Sequence, residues 1–408
     1  MANPVEDIRQ IAPKATSLAT QSLALNLGPQ HPATHGTLRF KMELDGETIR
    51  SCTPEIGFLH TGFEKLGEYR NYNQFVVITD RANYLSPLNN NIGFAIACEE
   101  LFGVTVPPRG QYVRVVLAEL SRIADHVVSV GLQAMDLGAF SVMLWAFIER
   151  EKMYDVFEAT TGARLTTSWT RVGGIFRDVP ADFADLVRGV TSKLPPVIEE
   201  IEFMLSKNKI FKDRTVGVGT LTREQAISYG MTGPCMRACG VAYDVRKSRP
   251  YLCYPELNFE IPVRTEGDVF ARYLVRLEEM RQSLSIIEQA LQKMPEGPVC
   301  SVDHKVALPP KDLVYQDMES LIHHFKIVMP GHGITPPRGE VYSCTESPNG
   351  ELGFYLVSDG TGLPYRVRIR PPSFYNHQAF PAQVEGRMLS DAVAILSSMN
   401  VIAGELDR

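Results

Sequence analysis

Two consecutive helical runs, residues 111–130 and 139–160, constrain the chain more than any other stretch, because neither can stand in water alone. In the first, Val113, Val116, Leu117, Leu120, Ile123, Ala124, Val127 and Val128 recur at helical spacing as one apolar stripe, with Arg114, Ser121, Arg122 and Asp125 off it. The second is apolar nearly all round, through Met143, Trp145, Phe147 and Ile148, a pattern that predicts a helix at the centre of a bundle. Further helical sequence surrounds this pair. Residues 181–206 are amphipathic but interrupted by Pro195-Pro196, which must kink or split them, since a proline ring clashes with the preceding turn. Residues 268–293 carry Tyr273, Leu277, Met280, Leu284, Ile287 and Leu291 on one face, and the charged Arg276, Glu278, Glu279 and Arg281 predict a solvated face. Pro309-Pro310 opens a shorter helix through Leu321, Ile322 and Phe325, and residues 390–399 form another. The glycine-punctuated stretches 217–220 and 230–240 suit irregular packed backbone.

The two ends read differently. Residues 22–27 form a β-like run; then Leu38, Phe40, Met42 and Leu44 alternate with Arg39, Lys41 and Glu43, the period-two mark of a half-buried strand. Asp45-Gly46 turns the chain into a return strand over 47–53, because a type I′ turn needs positive φ at both central residues. Near the other end, residues 340–344, 352–358 and 365–370 read as strands. The expected class is α+β, a central helical bundle with small antiparallel β elements at both ends. The expected division is an N-terminal extension over 1–21, a β lobe over 22–53, a helical bundle over 54–330 and a β-rich lobe over 331–408.

Composition removes several function classes. A net charge of -6 argues against nucleic-acid binding, which needs a clustered excess of Lys and Arg. No window approaches eighteen uncharged apolar residues, so no membrane span is expected. Residues 1–20 show neither an apolar signal core nor a transit-peptide pattern, which predicts a bacterial cytoplasmic protein. Seven cysteines at irregular spacing do not make a disulfide framework, and Cys235 and Cys239 read as two small buried apolar residues.

Three places carry chemistry. Residues 28–36, Gly-Pro-Gln-His-Pro-Ala-Thr-His-Gly, join the first two strands as a loop stiffened by Pro29 and Pro32, and they offer the imidazoles of His31 and His35. A metal site would need third and fourth ligands, and neither His323-His324 nor His332 supplies matching spacing. The pair therefore either meets a ligand or hydrogen-bonds the loop to itself. Asp136 stands alone among apolar neighbours and must find a partner or take up a proton, unless it caps the helix starting near residue 139. Tyr84, in Asp80-Arg81-Ala82-Asn83-Tyr84-Leu85-Ser86, is either a packed ring with one hydrogen bond or a phenol used in chemistry.

Together these stretches resemble the 49 kDa subunit of respiratory complex I, the proton-pumping NADH:quinone oxidoreductase, from about residue 22 to 408. The most specific blocks are GPQHPATHG at 28–36, HTGFEKL at 60–66, PPRGQYVRVVLAELSRIADH at 107–126, MDLGA at 135–139, DVRK at 244–247, RLEEMRQSL at 276–284, LIHHFK at 321–326, GELGFYLVSDG at 350–360, YRVRIRPPSF at 365–374 and the terminal GELDR. The family is similar in fold to the large subunit of [NiFe] hydrogenases, whose metal sits on two cysteine pairs. The corresponding positions here are Asn83 and Ser86, then Ile402 and Glu405, and these side chains cannot replace thiolates, so hydrogenase chemistry is not expected. The resemblance implies a quinone site. It places His35 and Tyr84 at the quinone headgroup with His31 nearby, and Asp136 as the carboxylate that orients His35 and raises its pKa. Proton loss from the His35 and Asp136 pair would begin the coupling to proton pumping, an idea that fails if Asp136→Asn keeps quinone reduction and pumping at parental rates.

The same resemblance implies electrons from a [4Fe-4S] cluster in the adjacent subunit, NAD bound by another subunit, and no metal in this chain. It implies three neighbours, a cluster-bearing B-like chain, a C-like (30 kDa-like) chain and an H-like membrane chain, and a peripheral place on the cytoplasmic side of the bacterial inner membrane. A complex that takes electrons from ferredoxin is the alternative, and a scaffold in which Tyr84, His35 and Asp136 are satisfied core residues is the contrasting class. Two positions depart from the family pattern: Thr61 stands where many relatives carry Arg, and Thr166 where some carry a His that makes the cluster potential pH-dependent. Less pH dependence is therefore expected, with Arg164 and Arg171 as the remaining nearby positive charge.

Overall fold

The computed structural model describes residues 22–34, 36–329 and 333–408. A hairpin forms where expected, but Asp45 ends the first strand opposite Thr48, the two turn residues are Gly46 and Glu47, and only Gly46 has a positive φ, 61°, so the turn is not the type I′ turn centred on Asp45-Gly46. It joins Arg39–Asp45 to Thr48–Glu55 in an antiparallel pair. Ser22–Leu27 pairs with the other edge of Arg39–Asp45, giving a three-stranded sheet with that strand in the middle. The alternation places Phe40, Met42 and Leu44 against Phe380, Val384, Ile395 and Met399 from the last hundred residues, so the two ends of the chain share one core. The loop after the first strand contains a 3₁₀ turn, Pro32–Thr34. Thr34 Oγ1 donates to the backbone oxygens of Pro29 at 3.1 Å and His31 at 2.9 Å. Gly28 has φ 83°, and a Cβ there would lie 2.1 Å from the Leu38 carbonyl oxygen, so the entry to this loop accepts only glycine.

Pro108–Asp136, 29 residues long, is the axis of the bundle. Proline in its first turn removes an N–H that has no helical acceptor anyway. The helix packs against Pro87–Phe102, Phe140–Thr161, Val269–Lys293 and Leu389–Met399. Its Val113, Leu117, Leu120 and Val127 share a core with Tyr273, Leu277, Met280 and Ile287. Pro195-Pro196 does split its run, into Phe183–Thr191 and Leu194–Ser206, with the prolines in the first turn of the second helix. Strands Gly339–Ser347, Gly350–Ser358 and Arg366–Arg370 make a second antiparallel sheet. Its Leu352, Phe354, Leu356 and Val367 cover Phe75, Phe94 and Ala97. The architecture is α+β.

Five further details differ from what the sequence predicts. The helix Phe140–Thr161 is buried on one side only, and Phe140, Leu144, Trp145 and Ile148 face outward, with Phe140 55% exposed. Its inner side fits closely because position 131 opposite is glycine: a Cβ on Gly131 would stand 3.0 Å from Ala146 Cβ. The expected solvated face of Val269–Lys293 is half wrong. Arg276 and Glu279 are buried, while Glu278 and Arg281 stay half-exposed and pair with each other. The charged side of Pro108–Asp136 is buried too, since Arg114, Arg122 and Asp125 are all inaccessible. The helix after Pro310 is two helices, Lys311–Gln316 and Met318–Val328, separated at Asp317, whose carboxylate caps the second by accepting from the Ser320 N–H. The tail also folds further than its sequence suggests, adding Pro372–Gln378, Phe380–Val384 and Ala403–Asp407.

The buried charges form one network. Glu119 receives Arg122 at 3.2 Å, Arg246 at 3.1 Å, the Tyr254 hydroxyl at 2.6 Å and the Ser283 hydroxyl at 2.6 Å. Arg246 also pairs with Asp244 at 2.7 Å. Arg237 bridges Glu346 at 2.7 Å and Glu279 at 2.5 Å, and Glu279 Oε2 lies 2.8 Å from His126 Nε2. Burial opposes ionisation of Glu119, yet Arg122 and Arg246 outweigh it and hold the carboxyl at about 2; Arg237 and His126 do the same for Glu279, also at about 2. Both values lie below the ordinary 4.5, so this stabilisation is full above that pH and is lost as pH falls toward 2. Arg237→Met would leave Glu279 and Glu346 buried without their cation, and a loss of about 3–5 kcal/mol is expected. Hydrogen exchange of the Val269–Lys293 amides in the assembled protein measures it.

Candidate functional site

Tyr84 lies in the turn between helices Tyr72–Thr79 and Pro87–Phe102. Asn83 fixes that turn: its Oδ1 accepts from the Leu85 and Ser86 N–H groups at 3.1 and 3.3 Å, and its carbonyl accepts from Asn90 Nδ2 at 3.1 Å. The terminal helix Ala403–Asp407 presses on the same turn. A Cβ on Gly404 would lie 2.5 Å from the Arg81 carbonyl oxygen, 2.9 Å from that of Ala82 and 3.6 Å from Tyr84 Cε1. Residues 81–86 and 402–405 therefore meet, and Asn83, Ser86, Ile402 and Glu405 are all buried there. Tyr84 is half-buried and makes no side-chain hydrogen bond among the described residues. Burial, with the Asp125 charge as the second cause, pushes its phenol above the ordinary tyrosine range, so it is a neutral donor at physiological pH.

Asp136 is the last residue of Pro108–Asp136 and not the cap of the next helix, whose N-cap is Ala139 without a side-chain cap. Burial pushes its carboxyl up to about 6, opposed by the positive charge of His31. His31 is exposed, and its Nδ1 accepts from the Ala33 N–H at 3.2 Å. Among the described residues, the imidazole that acts on Asp136 is that of His31. His35, expected to pair with Asp136, lies outside the described residues, as does the extension over 1–21.

The departures at 61 and 166 leave Thr61 exposed and Thr166 half-buried. Arg164 is engaged by three carboxylates, Glu151, Asp155 at 3.0 Å and Glu158 at 3.0 Å, so its charge is already balanced locally. Arg171 is half-buried, and burial lowers its pKa. His60 and Asp407 tie the start of the helical region to the terminus: His60 Nδ1 lies 2.8 Å from the Asp407 carbonyl oxygen, and the Asp407 carboxylate accepts from the Gly57 and Leu59 N–H groups at 2.8 and 2.7 Å.

Two acids beside Tyr84 do not stand out in the sequence as a pair. Asp125 is fully buried, and its Oδ1 accepts from Asn400 Nδ2 at 2.7 Å. Glu405 is fully buried, accepts a short hydrogen bond from the Ser373 hydroxyl, and is pushed up to about 7 by burial, with the Asp125 charge adding to the rise. In sequence Asp125 is one of several charges off an apolar stripe, and nothing in the local pattern separates it from a solvated one. Among the described residues no group of three or more His, Cys, Asp or Glu side chains is placed to hold a metal ion. Two clefts of about 540 and 350 Å³ lie elsewhere, one beside Arg249 and Cys344, the other beside His304 and His323.

The Asp136 carboxyl is expected to be a neutral acid below about pH 6 and an anion above it. An infrared titration would show a protonated-carboxyl band that disappears through that pH and is missing in Asp136→Asn; a band titrating in the ordinary aspartate range contradicts it.

With this geometry in hand, comparison with known proteins is specific. Residues 136–408 match the family model described as respiratory-chain NADH dehydrogenase, 49 Kd subunit. The D-type subunit of NADH-quinone oxidoreductase from Leptospira biflexa is 50% identical over 97% of this chain and 97% of its own length. That of Geotalea uraniireducens is 47% identical over 96% of this chain and 100% of its own length. A protein of Bdellovibrio bacteriovorus named as the C/D-type subunit is 51% identical over 95% of this chain and 69% of its own length. Matched along nearly all its length, the chain belongs to the 49 kDa family and is a D-type subunit of NADH-quinone oxidoreductase.

Proposed function

We propose that this chain forms the quinone-reducing end of the complex, with Tyr84 as a proton donor to the headgroup and His35, His31 and Asp136 beside it. Reduction of a quinone to a quinol takes up two electrons and two protons, and its carbonyl oxygens become bases as the electrons arrive. A group suited to that step is a neutral O–H donor that is oriented, partly shielded from water and not already bonded elsewhere. Tyr84 has those properties, and this is the observation that carries the reading. Gly404 and Asn83 hold its turn from two sides, which supports a fixed phenol position. Asp136, with its pKa near 6, changes charge within the working pH range, and His31 acts on it. His35 joins the site through the family resemblance.

A [4Fe-4S] cluster in a B-like neighbour would supply electrons one at a time. This chain binds and orients the headgroup and provides the protons. The relatives' names carry NADH, which favours NADH bound in another subunit over ferredoxin as the reductant. The C/D name of one relative supports a C-like (30 kDa-like) chain as a neighbour. Among the described residues no helix is long and apolar enough to cross a membrane, which fits a peripheral place on the cytoplasmic face of the inner membrane, against an H-like membrane chain.

In membranes carrying Tyr84→Phe, NADH:quinone reductase activity is expected to fall by about a hundredfold, the scale of one lost general acid. NADH:ferricyanide activity, which draws electrons upstream, stays at the parental rate. Unchanged quinone reduction in an assembled complex would remove Tyr84 from the site. Gly404→Ala, which drives a methyl into two backbone carbonyls of the Tyr84 turn, is expected to lower quinone reduction in the same assay and again spare ferricyanide.

A further inference from the structure

We infer that Asp125 and Glu405 share one proton beneath Tyr84 and return it to the phenol after Tyr84 has given up its own. The inference rests on the reading of Tyr84 as a proton donor. It stands first on placement. Glu405 directly follows Gly404, the residue packed against the Tyr84 ring, and Asp125 acts electrostatically on both Tyr84 and Glu405. Both acids are fully buried, and in each one oxygen is bonded while the other meets no hydrogen-bond partner among the described residues: Oδ2 of Asp125 and Oε1 of Glu405. The Asn349 amide sits beside Glu405 without closing a bond of good geometry. Asn83 Nδ2 and Ser86 Oγ, in the Tyr84 turn itself, are likewise buried and unpartnered. A buried carboxyl oxygen left open is costly as an anion and much less so when the group carries a proton.

The charges around the pair decide which acid holds the proton. Asp125 faces His126 of its own helix, Arg150 of Phe140–Thr161 and Arg276 of Val269–Lys293, all of which favour its anion against burial; Tyr84 and Tyr154 face it as neutral phenols. Around Glu405 are Ser373, Asn349 and the Asp125 carboxylate, and the last disfavours a second anion. Glu405 is therefore the acid and Asp125 the anion that keeps it protonated. In the relay the Tyr84 O–H bond breaks as an O–H bond forms on the reduced quinone oxygen, whose electrons come from NADH through the complex. The phenolate then takes the shared proton through Asp125, the acid whose charge acts on Tyr84, as Glu405 passes its proton to Asp125 and is itself reprotonated from solvent; no electron moves within the relay.

Burial raises Glu405 to about 7, so the relay is loaded below that pH and empties as pH rises through it. Asp125→Asn keeps an oxygen to accept from Asn400 but removes the repelling charge. The Glu405 pKa then falls, and the alkaline limb of NADH:quinone reductase activity in membranes moves to lower pH by about one unit. Glu405→Gln lowers quinone reduction about tenfold while sparing NADH:ferricyanide activity, and Glu405→Asp recovers part of it. A merely structural role for either acid would scale the rate without moving the limb, and that result overturns the relay. Should Glu405→Gln fail to assemble, infrared titration of the parent and Asp125→Asn complexes decides. A carboxyl band titrating near 7 in the parent and lower in the variant supports the relay, and an unshifted midpoint overturns it. If Tyr84→Phe keeps full quinone reduction, the reading beneath falls; if Tyr84→Phe loses it but the limb stays put in Asp125→Asn, the acid pair alone falls.

Discussion

The Arg237 guanidinium is the contact on which the packing of this chain depends. It joins Glu279 of the helix Val269–Lys293 to Glu346 of the C-terminal sheet, and through Glu279 it reaches His126 on the axial helix. Three elements distant in sequence are thereby fixed by directional, desolvated bonds. An apolar interface tolerates sliding by a fraction of a turn, whereas a shift here would strand a buried carboxylate at a cost of several kcal/mol. The network also contains a mismatch, since Glu119, Asp244, Glu279 and Glu346 face Arg122, Arg237 and Arg246. The excess settles on one pair. Asp244 stays below the ordinary carboxylate range because Arg246 outweighs its burial, while burial and the Asp244 charge push Glu346 up.

The axial helix shows how one environment becomes structural and another titratable within two turns. Glu119 and Asp125 are equally buried, and burial raises both. Two arginines in contact turn the balance for Glu119, which stays ionised at every physiological pH. Asp125 has its cations farther away and only an asparagine amide in contact, so its carboxyl remains raised. His126, next to it, faces inward to Glu279 and is pushed down by burial. The helix thus carries a locked charge at the network and an adjustable one where it passes the Tyr84 turn. This gradient follows from how many cations touch each acid.

What sequence reveals here follows the range of the interaction that decides each feature. A hairpin turning at Gly46 and the buried face Phe40, Met42 and Leu44 are legible because a glycine turn and period-two alternation are local, although the turn sits one residue later than Asp45-Gly46 predicts. The split at Pro195-Pro196 is legible for the same reason. Burial of Arg122, Asp125 and Glu279 is not, because partners that help settle it are remote in sequence: Ser347, Asn400 and His126 supply no signal beside them, and neither does the turn of Arg237 toward Glu346. A charged helix face looks the same in sequence whether water or a second charged face covers it. Tyr84 and Asp136 stand out as isolated polar groups, whereas Glu405 gains its character only when the tail folds back on residues 81–82.

The outward face of Phe140–Thr161 extends that lesson. Its periodicity predicts full burial, and the bundle covers only the side of Val142, Ala146, Met153 and Val156. Hydrophobic pattern is set by the environment a residue occupies in the working assembly, and in a subunit of a multisubunit complex that environment includes other chains. The central placement expected for this helix is thus wrong for the isolated chain for a reason periodicity cannot encode. The face begins at Phe140, four residues after Asp136. Burial, opposed by His31, already lifts the Asp136 carboxyl to about 6 with one side of its surroundings still open to water. Covering the adjoining apolar face with any other chain would remove more water from that carboxyl, and desolvation acts on an acid in one direction only, upward.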